Sequence, residues 1–230
     1  MDDPKIVRAV SRSDFDIRRI KKDLMSIYLV IPPHKLTSNN RFFRAFIGLA
    51  LSAITASYYR PKNNVLFLLD EFAQLGRMHA IEDAISLVRG YGAVFWFTIQ
   101  DLSQLKFAYK EKWQTFVANT SKQFFGTADY DTAKYISDMI GNKTVFFEIS
   151  SSASGNHVVF SEGSYGGSLN KNTGVYNNRA SRPLMTPDEV MKFSKGVIVF
   201  ITGEAPYLLE PIHYYQDEAY QGLFDKNPYI

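Results

Sequence analysis

Two adjacent carboxylates, Asp70 and Glu71, close an apolar run, Val65-Leu-Phe-Leu-Leu69. A run of that length between polar residues reads as a strand buried on both faces of a parallel sheet. The acids then emerge at its C-terminal end, the edge at which open α/β sheets bind ligands. An Asp there can hold Mg²⁺ through its water shell, and a Glu can polarise an attacking water. Together they suit phosphoryl transfer to water. The same string also fits a strand that runs into a plain acidic turn. A second apolar run, Ala93-Val-Phe-Trp-Phe-Thr-Ile99, ends in Gln100 and Asp101. A neutral amide such as Gln100 can hydrogen-bond a phosphate and a water together, or it can cap the helix that follows. Arg89 and Arg77 offer guanidinium forks matched to phosphate oxygens. Arg89 equally suits a solvated helix end, where a cation complements the macrodipole.

These residues need a scaffold that brings them to one edge. Ile81, Ala84, Ile85 and Val88 recur at helical spacing, which predicts a helix from His79 to Arg89. Gly90 and Gly92 bracket the turn into the second strand. Strand, helix and strand then form one right-handed crossover. That unit places Asp70, Glu71 and Gln100 at the same end of the sheet.

Around this unit the chain reads as α/β. Residues 1–22 form a polar lead-in with Arg18, Arg19, Lys21 and Lys22 clustered, a solvated segment or a basic patch for DNA. Ser26 to Ile31 has strand composition and stops at Pro32-Pro33. Asn40 to Tyr59 is expected as a helix capped by Ser38 or Asn39. Short helices are expected over Ser103–Tyr109 and Trp113–Asn119, a strand over Ser121–Phe125, a helix over Thr127–Ile140 and a strand over Lys143–Ile149. Ser, Gly and Asn supply more than half of residues 150–178, which predicts a long mobile loop with a hairpin near Val158-Val-Phe160. Thr186-Pro-Asp-Glu189 spells a capping box at a helix start. Strands are expected over Gly196–Ile201 and Tyr207–Ile212, with a peripheral tail over 216–230. The nucleotide-binding unit is therefore expected over 23–215.

Composition narrows the chemistry. The 230 residues suffice for one large domain. With no Cys, disulfides, thiolate metal sites and thiol catalysis are excluded. His34, His79, His157 and His213 lack metal-ligand spacing. The net charge of +3 is too small to argue nucleic-acid binding. The longest apolar stretch, Phe46 to Ala56, is too short to span a bilayer, and Asp2, Asp3 and Asp14 do not suit a signal peptide.

Read as a whole, the chain resembles the type IV secretion coupling proteins of the TraG/TraD group, the conjugative DNA-transfer ATPases. The resemblance rests on Leu66-Phe-Leu-Leu-Asp-Glu-Phe-Ala-Gln-Leu-Gly-Arg-Met78 and Tyr91-Gly-Ala-Val-Phe-Trp-Phe-Thr-Ile-Gln-Asp-Leu-Ser-Gln-Leu105. It continues through Phe116-Val-Ala-Asn119, Gln123-Phe-Phe-Gly126 and Arg182-Pro-Leu-Met-Thr-Pro-Asp-Glu-Val190, and covers roughly residues 23–228. It implies a RecA-like, P-loop NTPase-type fold: a mostly parallel sheet flanked by helices. It implies ATP and Mg²⁺ as cofactors, Asp70 as the Walker B Mg²⁺ ligand, Glu71 as the catalytic carboxylate and Gln100 as the γ-phosphate sensor. Arg89 matches a position proposed as an arginine finger given to a neighbouring subunit, and Arg77 is a second candidate. The implied assembly is a homo-hexamer on the cytoplasmic face of the bacterial inner membrane. Its implied partners are single-stranded DNA, relaxosome and relaxase proteins, and secretion-channel components.

One departure bears on all of this. No Gly-x-x-x-x-Gly-Lys-Ser/Thr string occurs, and Gly141-Asn-Lys-Thr144 leads into a strand where a P-loop must lead into a helix. The family's membrane-spanning segments are not seen either. The chain therefore reads as the C-terminal, Walker B half of a coupling protein, expected to be soluble and inactive towards ATP by itself. A stand-alone module that docks relaxosome or substrate proteins is the alternative, and direct single-strand binding through Tyr and Arg surfaces is a third.

Overall fold

The computed structural model describes residues 4–153 and 172–226. Helix α1 (Pro4–Val10) and a 3-10 turn (Ile17–Lys21) lead to the long helix α2 (Pro33–Thr55). Strand β1 (Val65–Leu69), a 3-10 turn (Phe72–Leu75), helix α3 (His79–Ala84) and strand β2 (Ala93–Phe97) form the crossover. Helices α4 (Leu102–Tyr109) and α5 (Trp113–Ala118) follow, then β3 (Lys122–Phe124) and α6 (Tyr130–Ile140). The chain ends with β4 (Asn142–Ala153), β5 (Asn172–Pro183), α7 (Pro187–Lys192), β6 (Val197–Phe200) and β7 (Tyr207–Leu209).

The crossover is as expected: β1 and β2 pair in parallel, from Val65 opposite Ala93 to Leu69 opposite Phe97. The later strands pair antiparallel, in the order β3-β6-β7 and as a β4-β5 ladder. Phe67 on β1 turns inward to the buried side chains of α2, α3, α4 and α5, and Phe95 and Phe97 pack against them. A second cluster joins Ala133 and Ile136 of α6 to Val190 of α7 and to Ile198 and Phe200 of β6. The N-termini of α4 and α6 are tied together. Leu102 N–H donates to Thr132 Oγ1 at 3.1 Å, and Ser103 Oγ donates to Asp129 at 3.3 Å.

Several expectations change. The strand β1 is buried on one face only. Leu66 is 55 % and Leu68 62 % exposed, as are Val94 at 39 % and Trp96 at 53 % beside them. Parallel sheets are normally covered on both sides, but none of the described residues covers this face. Residues 24–32 run without a ladder, because a strand needs a neighbour and none of the described strands lies beside them.

Helix α2 begins at Pro33, well before Asn40. A proline in the first turn loses no hydrogen bond, since its missing N–H is an orphan there. Ser38 and Asn39 donate back to the Lys35 carbonyl inside the helix and do not cap it. Helix α3 stops at Ala84, and the chain reaches Gly92 through a 3-10 turn over Val88–Tyr91. The basic lead-in cluster is partly paired within its own segment. Arg18 pairs with Asp16 and Arg19 with Asp23. Lys21, expected in solvent, is buried, and its ammonium donates to the carbonyls of Ile54 at 3.1 Å and Ser57 at 2.7 Å, closing the C-terminus of α2. Burial holds its pKa below the ordinary lysine range.

The expected loop 150–178 is shorter, since both its ends pair as strands, from Ser150 opposite Val175 to Ala153 opposite Asn172. Backbone pairing needs no apolar side chain, so a Ser/Asn-rich stretch gives little sign of it. The hairpin near Val158 lies outside the described residues.

Phe72 shows how the core fixes the end of β1. It is fully buried, and its ring lies 4.4 Å from Phe97, 5.4 Å from Tyr109 and 5.6 Å from Phe116. Phe72→Ala is expected to cost about 3–5 kcal/mol, the range for a large buried aromatic truncated to a methyl. Urea unfolding followed by tryptophan fluorescence measures it. A loss under about 1 kcal/mol, the scale of a surface change, would mean that this cluster does not hold the strand end.

Candidate active site

Backbone pairing carries β1 and β2 beyond their assigned ends. Thr98 N–H donates to Leu69 C=O, and Phe72 N–H donates to Thr98 C=O, each at 3.0 Å. Between those two bonds stand Asp70 and Glu71. Glu71 turns the chain in the left-handed region, with φ 47° and ψ 40°. A non-glycine residue there costs on the order of 1 kcal/mol or more, and such strain gathers at functional sites. The turn leaves Asp70 exposed at the strand tip and Glu71 half-buried beside Gln100.

The expected trio does come together. Gln100 Nε2 donates to both Glu71 carboxylate oxygens, at 3.2 and 3.3 Å. Two further amides join, which the sequence reading did not single out. Gln74 Nε2 donates to Glu71 Oε2 at 3.1 Å, and Gln104 Nε2 donates to Gln100 Oε1 at 2.9 Å. Gln104 follows Gln100 by four positions, a spacing at which side chains meet near a helix start, so that signal was available. The helix-cap role considered for Gln100 falls to its neighbour, since Asp101 accepts the Gln104 backbone N–H at 2.8 Å and caps α4. An open cleft of about 500 Å³ runs along this edge, lined by Ala73, Gln74, Asp101, Ser103, Gln104 and Phe107.

The two arginines lie elsewhere. Arg89 sits in the turn that precedes β2, whereas Gln100 follows its end. Five strand residues at about 3.3 Å each put about 16 Å between the two ends. Arg89 is exposed and no ion pair engages it. Arg77 is held inside its own chain. Its Nε and Nη2 donate to the two Glu82 oxygens at 2.7 and 3.2 Å, and its carbonyl accepts from Arg44 at 2.8 Å. That hydrogen bond from Arg77 is the main reason the Glu82 carboxyl sits below its ordinary range.

The donor set suits a hydrated Mg²⁺ and a polarised water: an exposed carboxylate, Asp70, that accepts the Glu71 backbone N–H at 3.1 Å, a second carboxylate, Glu71, held by glutamine side chains, and an amide at a strand tip. It does not suit a polyphosphate alone. Gly141 ends α6 with φ 90° and its successors enter β4, so Gly141-Asn-Lys-Thr144 forms no loop ahead of a helix. No group of three or more His, Asp or Glu that could hold a metal occurs among the described residues.

Known proteins resemble the chain in sequence and in fold. Residues 1–228 match the family described as Type IV secretory system Conjugative DNA transfer. Protein VirD4 of Rhizobium rhizogenes is 34% identical over 228 residues, spanning 97% of this chain and 32% of that protein. Conjugal transfer protein TraG of Escherichia coli is 24% identical over 249 residues, spanning 95% of this chain and 37% of its own length. Among solved structures, the bacterial conjugative coupling protein TrwBdeltaN70 superposes with a TM-score of 0.65 at 20% identity, over 86% of this chain and 43% of that one. Plasmid coupling protein TrwB in complex with ADP and Mg2+ superposes with a TM-score of 0.64 at 18% identity, over the same shares. The fold is thus the RecA-like α/β fold of the coupling proteins, and the chain spans about a third of the length of the curated relatives it matches. By sequence over nearly its whole length, and by fold, this chain belongs to the type IV secretion conjugative DNA-transfer family, the coupling proteins.

Proposed function

We propose that this chain supplies the hydrolytic edge of an ATP-driven coupling protein that passes single-stranded DNA or protein to a secretion channel. The observation that carries this is the Asp70–Glu71–Gln100 constellation at the shared C-terminal end of β1 and β2. In this reading Asp70 holds Mg²⁺ through water, Glu71 orients the attacking water and Gln100 reports the γ-phosphate. The bound Mg²⁺ supplies charge neutralisation on the phosphates. The chain's own part is to hold a carboxylate, an amide and a strained turn in register.

The cradle for the phosphates must come from other residues. The bare face of β1–β2, with Leu66, Leu68, Val94 and Trp96, is where a further layer belongs. No described helix is long and apolar enough to cross a membrane. Homo-hexamer formation, relaxosome contacts and a place at the inner membrane belong to the same proposal, supported by family membership.

The test is hydrolysis by this chain alone and by the same chain joined to the preceding part of a close relative that carries a P-loop. The reading expects no turnover above buffer for the chain alone and Mg²⁺-dependent turnover for the joined protein. If the joined protein folds, binds ATP and still fails to hydrolyse it, the recognition-module reading takes its place.

A further inference from the structure

The amide of Gln100 can face Glu71 in two ways. Turned one way it offers its NH₂ to the carboxylate. Turned the other way it sets oxygen against oxygen. Shape does not distinguish the two, because the amide N and O are nearly the same size. An ionised carboxylate only accepts, so Glu71 draws the NH₂ towards it. Whether Gln100 is held in that pose depends on the group on its other side, and that group is Gln104. Its Nε2 lies 2.9 Å from Gln100 Oε1. A donor there holds the Gln100 oxygen away from Glu71 and the NH₂ towards it.

We propose that Gln104 is a positioning residue of this site, which holds the Gln100 amide in the direction that Glu71 requires and through it fixes the orientation of the Glu71 carboxylate. The effect on hydrolysis rests on the function proposed above; the effect on Gln100 does not. The chain of donors runs one way, from Gln104 to Gln100 to Glu71, because an ionised carboxylate only accepts. Gln104 meets the cost of this direction at its far end, where its buried Oε1 accepts no hydrogen bond from any described residue. Its place is fixed from below: its backbone N–H is bound by Asp101, and α4 is anchored through Leu102 to Thr132. Gln74 holds the same carboxylate from the opposite loop at 3.1 Å, so Glu71 is gripped from two elements.

The test needs no nucleotide. Side-chain amide resonances of Gln100 are assigned by NMR in the 230-residue chain and in three variants, with backbone spectra and thermal midpoints as folding controls. Gln104→Glu keeps the shape but only accepts, so it should compete with Glu71 for the Gln100 NH₂. The Glu71 side-chain carboxyl resonance should move as it loses that donor, and the Gln100 NH₂ resonances should move with it. Gln104→Leu should leave the Gln100 oxygen unheld, so that the amide leaves Glu71 part of the time and its shifts move towards those of a solvated amide. Gln104→Lys, which still donates, should keep the native shifts. If Gln100 resonances stay native in folded Gln104→Glu and Gln104→Leu protein, the proposal is overturned. Equal disturbance by Gln104→Lys and Gln104→Glu also overturns it, since a donor would then count for nothing.

In the joined, P-loop-bearing protein, Gln104→Glu should lower kcat about 10-fold or more, the scale of outer hydrogen-bond partners, with KM for ATP unchanged. NMR shifts as expected alongside a wild-type protein that hydrolyses nothing would sink the functional reading and leave the role of Gln104 standing.

Discussion

Arg89→Ala should lower ATP turnover by the assembled coupling protein about 10³-fold or more, the scale of a trans-acting arginine, while nucleotide affinity changes little. The reason is geometric. Arg89 lies at the N-terminal end of β2, and Glu71 and Gln100 lie at the other end. Within one subunit it cannot reach the site it would serve. It is exposed and unengaged, so it is free to serve a neighbour. Arg77, the other candidate, spends its fork on Glu82 at 2.7 and 3.2 Å. A mixing experiment separates the two. Subunits carrying Arg89→Ala have an intact carboxylate edge, and subunits carrying Glu71→Gln have an intact arginine. Mixed assemblies should regain turnover that neither parent shows. Failure to complement, with Arg77→Ala complementing instead, would move the role to Arg77.

Glu71→Gln should lower turnover about 10²–10⁴-fold, the range of a positioned general base. It should leave Mg²⁺ and ATP binding near wild type, because Asp70 is untouched. The fold should also survive. Gln has the same length and keeps the left-handed turn at φ 47° no worse than Glu. The hydrogen bonds from Gln74 and Gln100 each need an acceptor, and the amide oxygen supplies one. Turnover is followed by phosphate release, and the thermal midpoint checks the fold. A fall in midpoint as large as that for Phe72→Ala would mean that Glu71 is structural first.

The edge was legible because its signals are local. An apolar run closed by Asp70-Glu71 and another closed by Gln100 need only the crossover rule to meet. The capping box at Thr186 and Glu189 was equally local, and it is present, with Thr186 N–H donating to Glu189 at 2.8 Å. Where neighbours decide, the sequence said less. Ser26 to Ile31 has the composition of a strand but no partner to pair with. Val65 to Leu69 looks buried on both faces by its composition, yet among the described residues only one face is covered. Lys21 reads as a surface charge, yet two carbonyls at the end of α2 draw it inside. The site itself was half visible. The hold on Gln100 comes from Gln104 and part of that on Glu71 from Gln74, roles that appear only once α4 and the turn after β1 are placed in space.

The central claim is that Asp70, Glu71 and Gln100 form an ATP-hydrolysing edge. Its most direct test is the identity of the nucleotide bound to the assembled Glu71→Gln protein after incubation with Mg²⁺ and ATP, rapid desalting and extraction. The account predicts intact ATP, held but not cleaved, where the wild-type protein yields ADP. ADP in the variant, formed at the wild-type rate, would contradict it.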